Sequence, residues 1–290
     1  MFSVSKGSAV AAMLIICLGC RQAPKTASLL IVTSFYPVYI ATINVTKGVP
    51  GVAVENLAPP TTGCLHDYQL SPRDLERLNA ARLFIVNGAG MESFLDKATR
   101  QIPGLRIIDA SQGIATIAGP SGPNPHVFTS VYNAMAQVRS ISRALQAADT
   151  LHAARYRDNE ARYLQKLDSL RARMRREIAK LPRRDIITFH EAFPYFAEEF
   201  GLNIAAVIER EPGSEPSAQE LAKTIRLIQS KRIAAIFVEP QYPTKTAQAI
   251  ARETGAKIYT LDPAVTGPME PDAYVQAMER NLRTLVEALR

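Results

Sequence analysis

The chain has 290 residues, 47% of them hydrophobic and 21% charged, which excludes the low-complexity and disordered classes and supports real apolar cores, two compact units by length. A formal net charge of +7 is compatible with nucleic acid, an anionic membrane or plain solubility. The three cysteines, Cys17, Cys20 and Cys64, narrow that choice.

Two of them end an N-terminal stretch with one basic residue, Lys6, and an apolar run of about ten residues from Ala9 to Leu18. That run suits the core of a secretion signal and falls short of the roughly 20 residues a membrane span needs. It closes in Cys17-Leu18-Gly19-Cys20, and Leu18, the small Gly19 and Cys20 resemble the lipobox of bacterial lipoproteins, whose cysteine is diacylated and becomes the first residue. Residues 1–19 are therefore expected to be a cleaved signal peptide, Cys20 the lipidated residue and 20–28 a polar tether. Cleavage removes Lys6 alone among charged residues, lowers the +7 by one, and leaves Cys64 as the one unmodified cysteine. No intramolecular disulfide is then expected, and export sets nucleic acid aside as a partner.

After the tether, runs rich in Val, Ile, Leu and Phe alternate with longer helical patterns, the rhythm of an α/β fold with mainly parallel sheets flanked by helices. Residues 29–33, 52–57, 83–87 and 106–109 are predicted strands of a first lobe over 29–150. Ser71 as N-cap, Pro72 at the first helical position and Leu75 and Leu78 three apart predict a helix over 72–81. The loop Gly119-Pro120-Ser121-Gly122-Pro123-Asn124-Pro125 breaks the pattern before Ser130 opens another helix. Residues 151–181 contain no Gly or Pro, and Leu164, Leu167, Leu170, Met174, Ile178 and Leu181 recur at three- and four-residue steps, so one long amphipathic helix is predicted. At 1.5 Å per residue it reaches roughly 45 Å, more than the width of one small domain, and so serves as a stiff connector along both lobes. Its basic end, from Arg171 to Arg184, reads as a solvated face helped by the helix dipole.

Beyond Pro182, strands over 185–189, 203–208, 233–238 and 257–261 predict a second lobe, 182–290, of the same class. No sequence repeat relates the halves. Gly88-Ala89-Gly90 is not a dinucleotide fingerprint, because Ser93 fills the third glycine's place, and there is no Gly-rich loop ending in Lys-Ser/Thr.

Four histidines occur. His66, His126 and His190 fall in loops after predicted strands, where open α/β sheets place ligands. His152 lies on the long helix among polar residues and reads as an exposed bystander. Glu239 and Asp262 end two strands of the second lobe. Singly, each histidine reads as a hydrogen-bonded structural residue. Together, three imidazoles and a carboxylate at equivalent strand ends make a four-donor N/O set suited to tetrahedral Zn²⁺.

The segments Ala58-Pro59-Pro60, His66-Asp67-Tyr68, Leu70-Ser71-Pro72-Arg73-Asp74-Leu75 and Val86-Asn87-Gly88-Ala89-Gly90-Met91-Glu92 resemble the first half of the metal-binding lipoproteins of bacterial ABC importers. In the second half Phe189-His190-Glu191-Ala192-Phe193-Pro194-Tyr195-Phe196-Ala197, Phe200-Gly201-Leu202, Glu215-Pro216-Ser217, Phe237-Val238-Glu239-Pro240-Gln241 and Leu261-Asp262-Pro263 are similar to the same family. The resemblance implies a zinc/manganese-type solute-binding protein, with two lobes joined by a rigid helix and the metal in the cleft between them. The ligands carried over by motif are His66 and His126 from the first lobe and His190 and Asp262 from the second. Glu239 and Cys64 stand as additional candidate ligands or as groups supporting the ligands, Cys64 reading first as a packed loop residue. In manganese-preferring relatives a carboxylate stands where His190 is, so histidine here argues for Zn²⁺ over Mn²⁺. Many zinc members carry a His- and acid-rich loop before the second ligand. Residues 113–124 hold neither residue type, so a scavenging or sensing role for that loop is not expected here.

What the resemblance implies is a monomeric importer component at the cell envelope, on its periplasmic or extracellular face, that takes Zn²⁺ to a permease and its ATPase. Capture of manganese or another divalent ion and a metal-dependent adhesin are the nearest alternatives. A zinc hydrolase ranks behind them: His190-Glu191 is not a His-Glu-x-x-His helix, since Pro194 occupies the second histidine's place. Membrane fractionation checks the anchor. Wild-type protein is expected with the envelope membranes, and Cys20→Ser protein in the soluble fraction.

Overall fold

The apolar runs form two sheets of parallel strands. The computed structural model describes residues 1–2, 29–65, 68–92, 95, 99, 102–119, 122–209 and 216–290, so nearly all of the expected signal peptide and tether lies outside the described residues. In the first half Leu29–Thr33 (β1), Val52–Asn56 (β2), Leu83–Val86 (β3) and Arg106–Asp109 (β4) pair in the order β2-β1-β3-β4. A short antiparallel ribbon follows, Ala118–Gly119 (β5) with Gly122–Pro123 (β6), inside the Gly/Pro-rich loop. In the second half Asp185–Thr188 (β7), Asn203–Val207 (β8), Ala235–Val238 (β9) and Lys257–Thr260 (β10) pair in the order β10-β9-β7-β8. Numbered within its own half, each sheet has the same order, 2-1-3-4, a repeat of topology that the sequence does not display. The chain leaves the ladder one residue earlier than the apolar runs suggest at Leu57, Asn87, Phe189, Ile208 and Leu261. All five are buried, because burial continues past the last paired residue.

The helices are Tyr36–Val45 (α1), Pro72–Ala80 (α2), Val131–Ala148 (α3), Ala153–Ala179 (α4), Pro194–Phe200 (α5), Ala218–Lys231 (α6), Lys245–Thr254 (α7) and Ala273–Ala288 (α8). Ser71 caps α2 in a capping box with Asp74, and Ser130 caps α3 by accepting from the Asn133 N–H. Helix α4, roughly 40 Å long, begins two residues later than periodicity suggests. A 3₁₀ turn over Thr150–His152 precedes it, and His152 is half-buried there, its Nδ1 2.8 Å from Asp149 Oδ2, rather than exposed on the helix. Tyr156 donates to the same carboxylate oxygen at 2.7 Å, which locks the joint between α3 and α4. Among the described residues no helix is long and apolar enough to cross a membrane.

Strand alternation decides where the cores lie. Ile31, Leu83, Ile85, Ile186, Ala235 and Phe237 face a core shared with α1, α3, α4 and α8, whereas Val32 and Phe84 face a smaller cluster outside the first sheet, and Ile187, Ile236 and Val238 one outside the second. Both faces being covered, the strands read as continuous apolar runs. Helix α4 packs against α1 and α3 on one side and α5 and α8 on the other, burying Tyr156, Tyr163, Leu167, Leu170, Met174 and Ile178. Polar ties cross the same seam. The Tyr36 hydroxyl donates to the Pro268 carbonyl at 2.8 Å, the Asn44 amide to Pro271 at 2.8 Å and the Tyr274 hydroxyl to Phe128 at 2.9 Å.

A buried polar network caps the first sheet. The Glu92 carboxylate accepts from the backbone N–H of Asn87 at 2.7 Å and of Gly88 at 3.0 Å. Gly88 has φ +80°, and a Cβ there would meet Asp109 Oδ1 at 1.9 Å, so only glycine fits. The Asn87 amide donates to the Pro125 carbonyl at 2.9 Å, and its Oδ1 accepts from Gln137 at 2.9 Å. Burial pushes the Glu92 carboxyl up to about 7 from 4.5. Between those values the folded chain holds a proton that the unfolded chain has lost, so this group's contribution to stability falls as pH rises through that window. Urea unfolding of wild type and Glu92→Gln at pH 5 and pH 8 checks it: the wild-type advantage over the variant is expected to be smaller at pH 8.

Candidate metal centre

In the second sheet the connections from β7 and from β9 run in opposite directions, so the crevice beyond their carboxyl ends is a topological switch point. Thr188 pairs with Phe237. Two residues further, His190 and Glu239 stand side by side, with His190 Nδ1 3.3 Å from Glu239 Oε1. The other Glu239 oxygen accepts from the Gln241 amide at 2.7 Å, and the Tyr242 ring meets the His190 ring edge-on at 6.0 Å.

The first half delivers its groups from loops. His126 follows the β5/β6 ribbon. Its ring lies edge-on to His190, with centroids 4.9 Å apart, and Phe128 flanks it at 6.0 Å. Cys64 follows β2 on a loop that continues along β1, where Leu57 and Ala58 donate to Thr33 and Ser34, and that then turns at Gly63. A Cβ on Gly63 would lie 3.5 Å from Gln241 Cγ, so this loop meets the one after β9. Among the described residues, the His, Cys, Asp and Glu side chains that bring ligand atoms within 4.8 Å of one another in a group of three or more are Cys64, His126 and His190. They are 7%, 2% and 1% exposed. Burial, and after it the charge of Glu239, hold the Cys64 thiol well above its ordinary range, a bias that a coordinated cation reverses, since a metal-bound thiol is deprotonated.

Asn124 orients the His126 imidazole and ties its loop to the backbone beside His190. Its Oδ1 accepts from the His126 backbone N–H at 2.9 Å and lies 3.0 Å from His126 Nδ1. With Nδ1–H donating to that amide oxygen, the Nε2 lone pair is the one free to face an ion. The Asn124 amide donates to the carbonyl of Glu191, next to His190, at 2.8 Å, and the Tyr195 hydroxyl donates to the Asn124 carbonyl at 2.7 Å. Thr129 closes the same joint, its hydroxyl within reach of the carbonyls of His126 at 2.8 Å and Ala192 at 3.1 Å. An asparagine two residues before a loop histidine was the available signal for this role, but nothing in the sequence says that its amide reaches the other half.

Residues 31–288 match the family model of the zinc-uptake complex component A, periplasmic, ZnuA. The chain belongs to this family. It is similar to the high-affinity zinc uptake system protein ZnuA of Bacillus subtilis (strain 168), 28% identical over 280 residues that cover 89% of this chain and 87% of the relative. Its fold is similar to that of the substrate-binding protein FpvC of Pseudomonas aeruginosa in complex with Mn²⁺, with TM-score 0.81, 31% identity and coverage of 90% and 98%. It is also similar to the laminin-binding protein Lmb of Streptococcus agalactiae, described as a bifunctional protein with adhesin and metal-transporting activity, with TM-score 0.83, 25% identity and coverage of 90% and 100%. The ZnuA family is one of periplasmic uptake components, and the α/β architecture with its long helix is the architecture of these neighbours.

The other ZnuA-type candidates fall as follows. His66 and Cys20 lie outside the described residues. Asp262 is buried beyond β10, outside the group formed by Cys64 and the two histidines. One of its oxygens accepts from Arg280 at 3.0 Å and the other from the Ala264 N–H at 2.8 Å, while Asn281 clasps its backbone. Asn124→Ala is expected to lower metal affinity about 10- to 100-fold, the cost of losing a group that orients a candidate ligand. Zinc titration against a competing chelator, with the circular-dichroism spectrum unchanged, checks this.

Proposed function

We propose that this chain captures Zn²⁺ outside the cytoplasm as the solute-binding lipoprotein of an ABC importer and hands it to the membrane permease driven by its ATPase. The proposed metal ligands are His66, His126, His190 and Asp262, with Glu239 beside His190. In the same reading Cys20 carries the lipid, and the lobes are 29–150 and 182–290 with the helix of 151–181 between them. The observation that supports it most is the meeting of His126 and His190, from opposite halves of the chain, both buried and with a carboxylate beside His190. A buried negative charge next to two imidazoles is costly unless a cation or a proton offsets it, and nitrogen-rich donors suit Zn²⁺ better than Mn²⁺. For Asp262, ligation takes an oxygen already within reach of Arg280, so that guanidinium must turn outward.

Isothermal titration with the mature chain is expected to give one zinc per molecule at neutral pH, with weaker binding on acidification as protons compete for the imidazoles. His126→Ala and His190→Ala are each expected to lose on the order of 100-fold or more in affinity, above the cost of removing an orienting group. Zinc as the retained metal after equal-metal competition separates this reading from a manganese carrier, and loss of growth on low zinc after gene deletion tests delivery.

A further inference from the structure

We infer that Cys64 is itself a metal ligand, so that the cargo ion is held by one thiolate together with the imidazoles of His126 and His190. This rests on the zinc-capture reading and puts a donor of a different class in the place that Asp262 has there, since Arg280 and the Ala264 N–H already hold the Asp262 oxygens. The Sγ of Cys64 and one nitrogen of each histidine lie within 4.8 Å of one another. Zn–N bonds of about 2.0–2.1 Å and Zn–S bonds of about 2.3 Å separate tetrahedral ligand atoms by roughly 3.3–3.7 Å, so only small side-chain adjustments are needed to close on an ion.

The placement of Cys64 is built into the loop. Leu65, its neighbour, is buried in the main core and pins one side. Gly63, with φ +80°, turns the chain on the other side, where a Cβ would come within 3.5 Å of Gln241 and 3.9 Å of the Tyr242 hydroxyl. Cys64 belongs to the buried core, and its sulfur also stands beside two imidazoles, with Glu239 next to one of them. On binding, the thiol proton leaves to solvent and sulfur donates its electron pair to the ion, with no oxidant or reductant involved. Thiolate favours Zn²⁺ and other borderline or soft ions, and it disfavours Mn²⁺, which prefers oxygen donors. The thiolate therefore biases the site against manganese independently of the histidine count.

Cobalt spectroscopy on the mature chain carrying Cys20→Ser, which leaves Cys64 as its one thiol, tests the inference. The Co²⁺ protein is expected to show the visible bands of a tetrahedral ion together with an intense near-ultraviolet sulfur-to-cobalt charge-transfer band. Adding Cys64→Ser is expected to abolish the charge-transfer band, keep visible bands, and weaken zinc binding by at least about tenfold while leaving Mn²⁺ binding little changed. Visible bands without the charge-transfer band overturn the thiolate ligand and leave zinc capture standing, and this reading needs no variant to fold. Absence of both bands and of zinc uptake overturns the zinc-capture reading and the thiolate with it.

Discussion

The two-sided apolar stripe of α4 is the constraint on which the rest of the structure depends. Tyr156, Tyr163, Leu167, Leu170, Met174 and Ile178 cannot all be covered by one lobe, so α1 and α3 close on one side and α5 and α8 on the other. The inner faces of both sheets then join a core that runs from Leu29 to Leu289. At about 1.5–3 kcal/mol for each large apolar side chain, exposing this seam costs roughly 10 kcal/mol or more, comparable with the whole net stability of a domain.

The loops that carry the candidate ligands are held by directed hydrogen bonds, not by apolar packing alone. The first sheet's switch point between β1 and β3 carries Asn87 and Glu92, which fix Pro125 and with it the approach of His126. The corresponding point in the second sheet carries His190 and Glu239 directly. Two sheets of one topology thus divide the labour, one supporting the loop of His126 and the other presenting His190 and Glu239. The Asn124 amide joins the two sides. The charge near the metal centre is set locally by Glu239 and is independent of the +7 carried by the whole chain, which acts on solubility.

Much of this was legible in the residues. The strand and helix rhythm, the cap at Ser71 and the 151–181 periodicity follow from short-range propensity and pattern, which act within a few residues, and the structure reproduces them to within a residue or two. His126 and His190 stood out because histidines are few and these follow strands. His152 reads as a helix residue in the sequence but lies in a 3₁₀ turn preceded by its partner Asp149, and hydropathy does not distinguish such a turn from the first turn of a helix.

Sequence by itself determined the class of the fold, the long helix and the histidines worth watching, because each is written in local chemistry and spacing. Only the tertiary structure decided that the two halves share one core, that Asn124 reaches Glu191, and that the Cys64 sulfur lies close to the ring nitrogens of His126 and His190. Those outcomes depend on which loops meet after the halves are packed on α4. Distances between residues more than a hundred positions apart are set by that packing and by nothing in their own neighbourhoods.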